Sequence, residues 1–178
     1  MARESKSKKL KYQVLIEEFM AAWEWTDELE IDLEEKTTTL NTGIDFAGQS
    51  GRLIIKGADG PDILDVYIYY KFQCRADKLE QMAILLNEIH TRWIYGHFVC
   101  FDDGHVRWSH RVDLEGSSPT GTTIERIVRP GWNAVGHFIE PIAAVALTKQ
   151  GAKQAIAEFD EEQEKRAAKP DGDGPSEL

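Results

Sequence analysis

Apolar residues recur along this chain in two rhythms. Tyr12, Leu15, Ile16, Phe19 and Trp23 are spaced as one stripe of a helix over residues 10–25, with Glu17, Glu18 and Glu24 on the other side. The period then falls to two. Residues 30–40 begin with apolar–polar alternation and end in a threonine run, which predicts a strand that Ile44 and Phe46 continue. Residues 48–51 read as a turn, 52–56 as a short strand and 57–61 as a second turn. Residues 63–72 make the strongest strand: Leu64, Val66, Ile68, Tyr70 and Phe72 form an apolar face, while Asp65, Tyr67, Tyr69 and Lys71 form a mixed one. Loops this short between consecutive strands favour an antiparallel meander.

Helical spacing returns with Leu79, Met82, Ala83, Leu86, Ile89, His90 and Trp93, which predicts a helix over 77–95 closed by a left-handed cap at Gly96. Residues 97–114 form a hairpin around Asp102-Asp103-Gly104, with two registers open. A two-residue loop pairs Phe101 with Val106 and sets His97 opposite His110. A three-residue loop with Gly104 left-handed pairs Phe101 with His105. The second is preferred because it gathers Phe98, Cys100, Val106 and Trp108 on one face, leaving Val99, Phe101, His105 and Arg107 on the other. Thr122 with Glu125 fits a capping box that starts a helix at Thr123. Pro130-Gly131 should interrupt that helix; Trp132, Val135, Ile139, Ile142 and Ala146 restore the stripe, with a kink at Pro141. The last segment is strongly acidic and only weakly amphipathic, through Ala152, Ile156 and Phe159.

The order is α-βββ-α-ββ-α, an α+β fold in which an antiparallel sheet of about five strands buries its apolar face under helices. Residues 1–9 read as a disordered basic tail, 10–147 as a single domain, 148–168 as an acidic C-terminal helix and 169–178 as a disordered tail rich in Pro, Gly and Asp.

Composition narrows the function. With 42% hydrophobic and 29% charged residues, the 178-residue chain is neither a disordered nor a disulfide-scaffold sequence. Its net charge of −10 repels phosphate, so neither nucleic acid nor an anionic membrane is expected as a partner. No signal peptide follows the basic start, and the longest purely apolar run, residues 142–147, is far too short to span a bilayer. Cys74 and Cys100 are the only cysteines, so the expected compartment is a reducing cytoplasm. The two thiols read as small core side chains, although a disulfide between them is possible.

At residues 86–108 the order meets a known pattern. Leu86-Asn87, then Gly96-His97-Phe98, then Asp103-Gly104-His105-Val106-Arg107-Trp108 resembles the core of the YbjN-like family of bacterial sensory transduction regulators. The resemblance covers roughly residues 10–147. It implies the type III secretion chaperone-like fold, with Leu86, Asn87, Gly96, Phe98, Asp103, Gly104, Val106 and Trp108 as structural residues. The chain departs from the pattern at His90, where a second asparagine is common, at Ser109, where an arginine is usual, and at Pro130-Gly131. The family implies no established enzyme activity and no cofactor. The related secretion chaperones are small acidic cytoplasmic homodimers that bind unfolded segments of other proteins.

Candidate chemistry is sparse. His97, His105 and His110 raise metal binding, but zinc needs three or four converging ligands, and in the preferred register His110 faces away from the other two. The aspartates around Gly60 and Gly104 lack the spacing and final glutamate of a calcium loop and read as turn formers. Gly48-Gln49-Ser50-Gly51 is not a nucleophile elbow, and no phosphate-binding loop occurs. Trp23, Trp93, Trp108 and Trp132 fall on apolar stripes, whereas Trp25 sits at a helix end beside charges. Tyr67, Tyr69 and Phe101 share the mixed sheet face, which is either a contact surface or the seat of the terminal helix. That helix is either a solvated face or a clasp on a second subunit through Ile156 and Phe159.

The expectation is a non-enzymatic, cytoplasmic protein-binding module, chaperone-like or regulatory, acting as a homodimer on an unknown protein partner. The dimer contact would use an apolar helix or the Tyr67/Tyr69 face. The alternatives are a metal-dependent enzyme or metal-binding protein built on the His97/His105/His110 region, and a dedicated secretion-effector chaperone.

Overall fold

The computed structural model describes residues 9–168; both expected tails lie outside these except for Lys9. The order is α1 (Lys11–Ala22), β1 (Leu29–Asp32), β2 (Thr37–Phe46), β3 (Gln49–Ala58), β4 (Ile63–Gln73), α2 (Leu79–Arg92), β5 (His97–Cys100), β6 (His105–Asp113), α3 (Gly121–His137), α4 (Ile139–Leu147) and α5 (Ala152–Ala168). All strands join one antiparallel sheet in the order β1-β2-β3-β4-β6-β5. The fold is α+β, as the hydrophobic pattern predicts.

The sixth strand comes from a bend inside the segment read as continuous over 30–40. Asp32 Oδ1 accepts the backbone N–H groups of Glu34 and Glu35, both at 2.9 Å, and Lys36 takes a left-handed φ of 52°. This side-chain-closed turn folds β1 back on β2. The next turn is tighter than expected. Phe46 pairs with Gln49, leaving Ala47 and Gly48 as a two-residue loop with φ of 48° and 72°. Gly57 belongs to β3 rather than to the following turn because Tyr12 lies on it: a Cβ there would stand 2.2 Å from the Tyr12 ring. Asp59 and Asp62 close that turn and also hold α1. Asp59 accepts the N–H groups of Lys11 and Tyr12, and Asp62 accepts the Lys11 ammonium at 2.6 Å and the Tyr12 hydroxyl at 2.8 Å.

The hairpin takes the three-residue register. Phe98 pairs with Trp108 and Cys100 with Val106, the Phe101 N–H reaches the His105 carbonyl at 2.9 Å, and Gly104 has a φ of 87°. Gly96 is left-handed (φ 66°), but α2 has already ended at Arg92, so Gly96 does not cap it. It lets the backbone pass the Trp108 indole, which a Cβ would approach to 2.4 Å. The helix after the hairpin starts earlier than expected. Its capping box uses Thr120 and Thr123, with the Thr120 N–H donating to Thr123 Oγ1 at 3.0 Å.

Pro130-Gly131 does not break α3, which runs on to His137. Ile124, Val128, Ala134 and Val135 are buried on both sides of the pair, so packing holds the helix together across one lost hydrogen bond. The chain breaks at Phe138 instead, because Pro141 in the first turn of α4 would clash with a continuous helix at the His137 carbonyl. The acidic α5 is not a separate appendage. Ala152, Ala155 and Phe159 are buried, and Phe159 meets the rings of His137 and Phe138 at 5.0 and 5.6 Å. Phe159 therefore packs within its own chain, and Ile156 is half-buried against the same core.

Two substitutions test this core. Gly131→Ala in a helix normally gains up to ~1 kcal/mol. Here its Cβ would stand 2.4 Å from the Trp108 ring, so denaturant unfolding should show a loss of about 1–3 kcal/mol. Phe98→Ala should cost ~3–5 kcal/mol; a loss below ~1 kcal/mol would mean that Phe98 does not fill the space beneath the helices.

Candidate functional site

Among the described residues the helices cover one side of the sheet only. α1 packs on β2 and β3, α3 on β2, β4 and β6, α4 on β4, and α2 on β5; α5 lies against α2 and α4. Their shared face carries Leu40, Leu53, Ile55, Leu64, Val66, Ile68, Val106 and Trp108, all buried. Tyr67, Tyr69 and Phe101 lie on the opposite face. Among the described residues no helix covers them, so the terminal helix is not their seat.

What does sit on these rings is Arg107. β6 runs next to β4, which sets Arg107 opposite Tyr69 and Ser109 opposite Tyr67. The guanidinium carbon is 4.3 Å from the Tyr67 ring centroid, 4.8 Å from that of Phe101 and 5.6 Å from that of Tyr69. Nη1 donates to the Tyr69 hydroxyl at 2.8 Å. One row away, Arg111 forks onto Asp65 with bonds of 2.7 and 2.9 Å. Burial, then the Asp65 carboxylate, raise the Tyr67 phenol above its ordinary pKa. Two polar atoms stay unsatisfied: Arg107 Nε and Ser109 Oγ are buried without a hydrogen-bond partner.

The residues of the recognised pattern build the corner behind this face. Leu86, Phe98, Val106 and Trp108 are core side chains, and Trp108 Nε1 donates to the Tyr95 carbonyl at 3.1 Å. Asp103 Oδ1 accepts the His105 N–H at 3.0 Å and shapes the hairpin turn. A Cβ at Gly104 would stand 2.2 Å from the Cys74 carbonyl oxygen. Asn87 is exposed and lines a groove of about 380 Å³ between α2 and the edge strand β5. In that groove His90 Nε2 accepts the N–H of Phe98 at 2.8 Å, capping a backbone donor on the sheet's free edge.

The histidines do not assemble a metal centre. His97 and His105 lie on the open side, while His110 stacks on Trp108 from the helix side with ring centroids 5.8 Å apart. Among the described residues no three His, Cys, Asp or Glu side chains are placed to hold a metal ion. Cys74 and Cys100 are free thiols. Burial, then the neighbouring Cys74, push the Cys100 thiol up to about 12, so it carries almost no thiolate at neutral pH. No helix among the described residues is long and apolar enough to cross a membrane.

No protein-family model matches the chain, and no curated protein matches it.

Sequence reading placed Tyr67, Tyr69, Phe101 and Arg107 on outward faces but did not bring Arg107 onto the rings. Ser109 enters the sequence reading only as a departure from the family pattern, and the Asp65–Arg111 fork does not enter it. All depend on the β4–β6 pairing, which joins segments about forty residues apart. The one available signal was the alternation of β6, which commits Arg107, Ser109 and Arg111 to the face opposite Trp108.

The His90 cap predicts a pH dependence. Burial, and then the charge of His97, hold the His90 imidazole below its ordinary pKa, and protonation would remove the acceptor that Phe98 uses. The unfolded chain takes up the proton near its ordinary value of about 6.5, so the stabilisation is complete above that pH and is lost as pH falls below it. His110 and His137 are depressed in the same direction, each chiefly by burial. Stability measured by denaturant unfolding should therefore fall between about pH 7 and pH 5, and His90→Ala should make that fall shallower. An unchanged slope would remove His90 from the account.

Proposed function

We propose that this chain is a protein-binding module, chaperone-like or regulatory and without catalytic chemistry of its own, that grips another polypeptide on the open face of its sheet. One observation carries the reading: every helix packs on the same side of the sheet, leaving the Tyr67–Tyr69–Phe101 cluster and Arg107 uncovered among the described residues. Aromatic and arginine side chains are enriched at protein contacts, and an ordered cluster of them has little conformational entropy left to lose on binding. The likeness to the YbjN-like family and its secretion-chaperone fold supports the same role, with a reducing cytoplasm as its setting.

A homodimer, which that likeness implies, belongs to the proposal with its seam elsewhere. Arg52, Lys56, Lys71, Arg107 and Arg111 project from the open side of β3, β4 and β6, against Asp65 and Asp113 on the same strands. Two such centres pressed together would set cation against cation, which is costly once water is excluded.

The test is the double substitution Tyr67→Asp with Tyr69→Asp, made in the full chain and purified from its native cells. The variant should stay folded, keep the wild-type mass by light scattering and lose a polypeptide that co-purifies stoichiometrically with the wild type. Equal retention by the two proteins, or no co-purifying polypeptide with either, overturns the reading. A variant that becomes monomeric moves the dimer seam onto this face.

A further inference from the structure

Where β5 begins, a hollow of about 260 Å³ opens at the sheet, lined from the uncovered side by Asp65, Tyr67, His97, Arg107, Ser109 and Arg111, and also by His110. It is smaller than the ~300–1,000 Å³ that encloses whole small molecules and has the scale of a single side chain. Ser109 is only 4% exposed, and its hydroxyl has no partner; the Nε of Arg107 is likewise buried and unpaired. Buried polar groups in folded proteins are nearly always satisfied, and an unpaired charged donor is the costliest exception. Both atoms can donate, so the group they await is an acceptor.

Charge selects among acceptors. Arg107 and Arg111 against the Asp65 carboxylate leave one positive charge around the hollow. That balances a carboxylate and falls short of the nearly double charge of a phosphate monoester. Stacked bases are a poor fit as well, because the Arg107 guanidinium already lies over the rings of Tyr67 and Phe101.

Building on the open-face reading above, we propose that the Arg107–Ser109 hollow is a carboxylate site that seats an Asp or Glu side chain of the bound polypeptide. The partner is then an acidic segment lying across β4 and β6, with one carboxylate accepting from Arg107 Nε and the Ser109 hydroxyl. The cationic side chains of Arg52 and Lys56 on the neighbouring strand suit further acidic residues of such a segment.

The experiment uses the ¹⁵N-labelled full chain and follows the arginine Nε–H signals at constant ionic strength. Three probes are titrated: the blocked peptide Gly-Glu-Gly, its Gly-Gln-Gly counterpart and inorganic phosphate. The Arg107 signal should move saturably with the glutamate peptide and stay still with the glutamine peptide. Ser109→Ala should weaken that binding about tenfold, the loss of one hydrogen bond to a charged group. Arg107→Lys, which keeps the charge and removes the Nε–H donor, should weaken it at least as much, with the remaining spectrum reporting the fold. An Arg107 signal that ignores the glutamate peptide, phosphate binding tighter than the peptide, or full affinity in Ser109→Ala each overturns the site. A chain that still captures its polypeptide through Tyr67 and Tyr69 while Arg107 ignores carboxylate overturns this site alone and leaves the open-face reading standing.

Discussion

The Trp108 indole fixes which way the last hairpin faces. It is the largest side chain buried in the core, at 1% exposure, and it is held on two sides by residues that have no side chain to spare: Gly96 ahead of β5 and Gly131 in α3. Its N–H is satisfied by the Tyr95 carbonyl, so the indole can stay in the core without stranding a donor. Side chains alternate along a strand, and a shift of one residue would turn every one of them over. With Trp108 pointing in, Arg107, Ser109 and Arg111 must point out. The open face is therefore a consequence of how the core closes, and changes at Gly131 or Gly96 should reach it through β6.

How far this could be seen in the sequence depended on whether the deciding contact was local. The hairpin register followed from asking which pairing collects Phe98, Cys100, Val106 and Trp108, a question settled within a dozen residues. The faces of β4 were equally plain from its alternation. Pro130-Gly131 misled because local propensity favours a break there, while the buried residues on both sides of it favour continuity, and packing won. The bend at Asp32 was hidden because alternation persists on both sides of it, and only the side chain's capture of two backbone N–H groups marks the turn. Phe159 is hard to place for a related reason: a weak amphipathic stripe among many carboxylates looks like surface until a specific hollow, beside His137 and Phe138, receives its aromatic ring.

The candidate site was half legible on the same grounds. Tyr67 and Tyr69 share a face by simple counting, and Phe101 joins them once the register is chosen. Arg107 lies over them only because β6 inserts between β4 and β5, so that the hairpin returns to the sheet with its second strand inward. Nothing in the local pattern chooses between that order and a plain meander. The electrostatics were hidden with it: a net charge of −10 describes the whole chain, whereas the central strands on the open side gather most of their charge from Arg52, Lys56, Lys71, Arg107 and Arg111. An overall sign predicts repulsion from polyanions at a distance, but a local surplus of the opposite sign decides what a short segment meets on contact.

The edges of the sheet bear on how a partner would be held. An exposed strand edge invites another chain to add a strand, and proteins blunt such edges with short strands, charges and caps. β5 is four residues long, and its outward Phe98 N–H is already taken by His90. β1, at the other edge, is also four residues long and carries Glu30 and Asp32. Both edges are thus poor templates for backbone pairing. An extended partner would gain more from the side chains of the open face, where affinity comes from ring surface and specificity from charge. With the proposed carboxylate site, such a contact would discriminate by charge, favouring a segment that brings an acidic residue to Arg107 and Ser109.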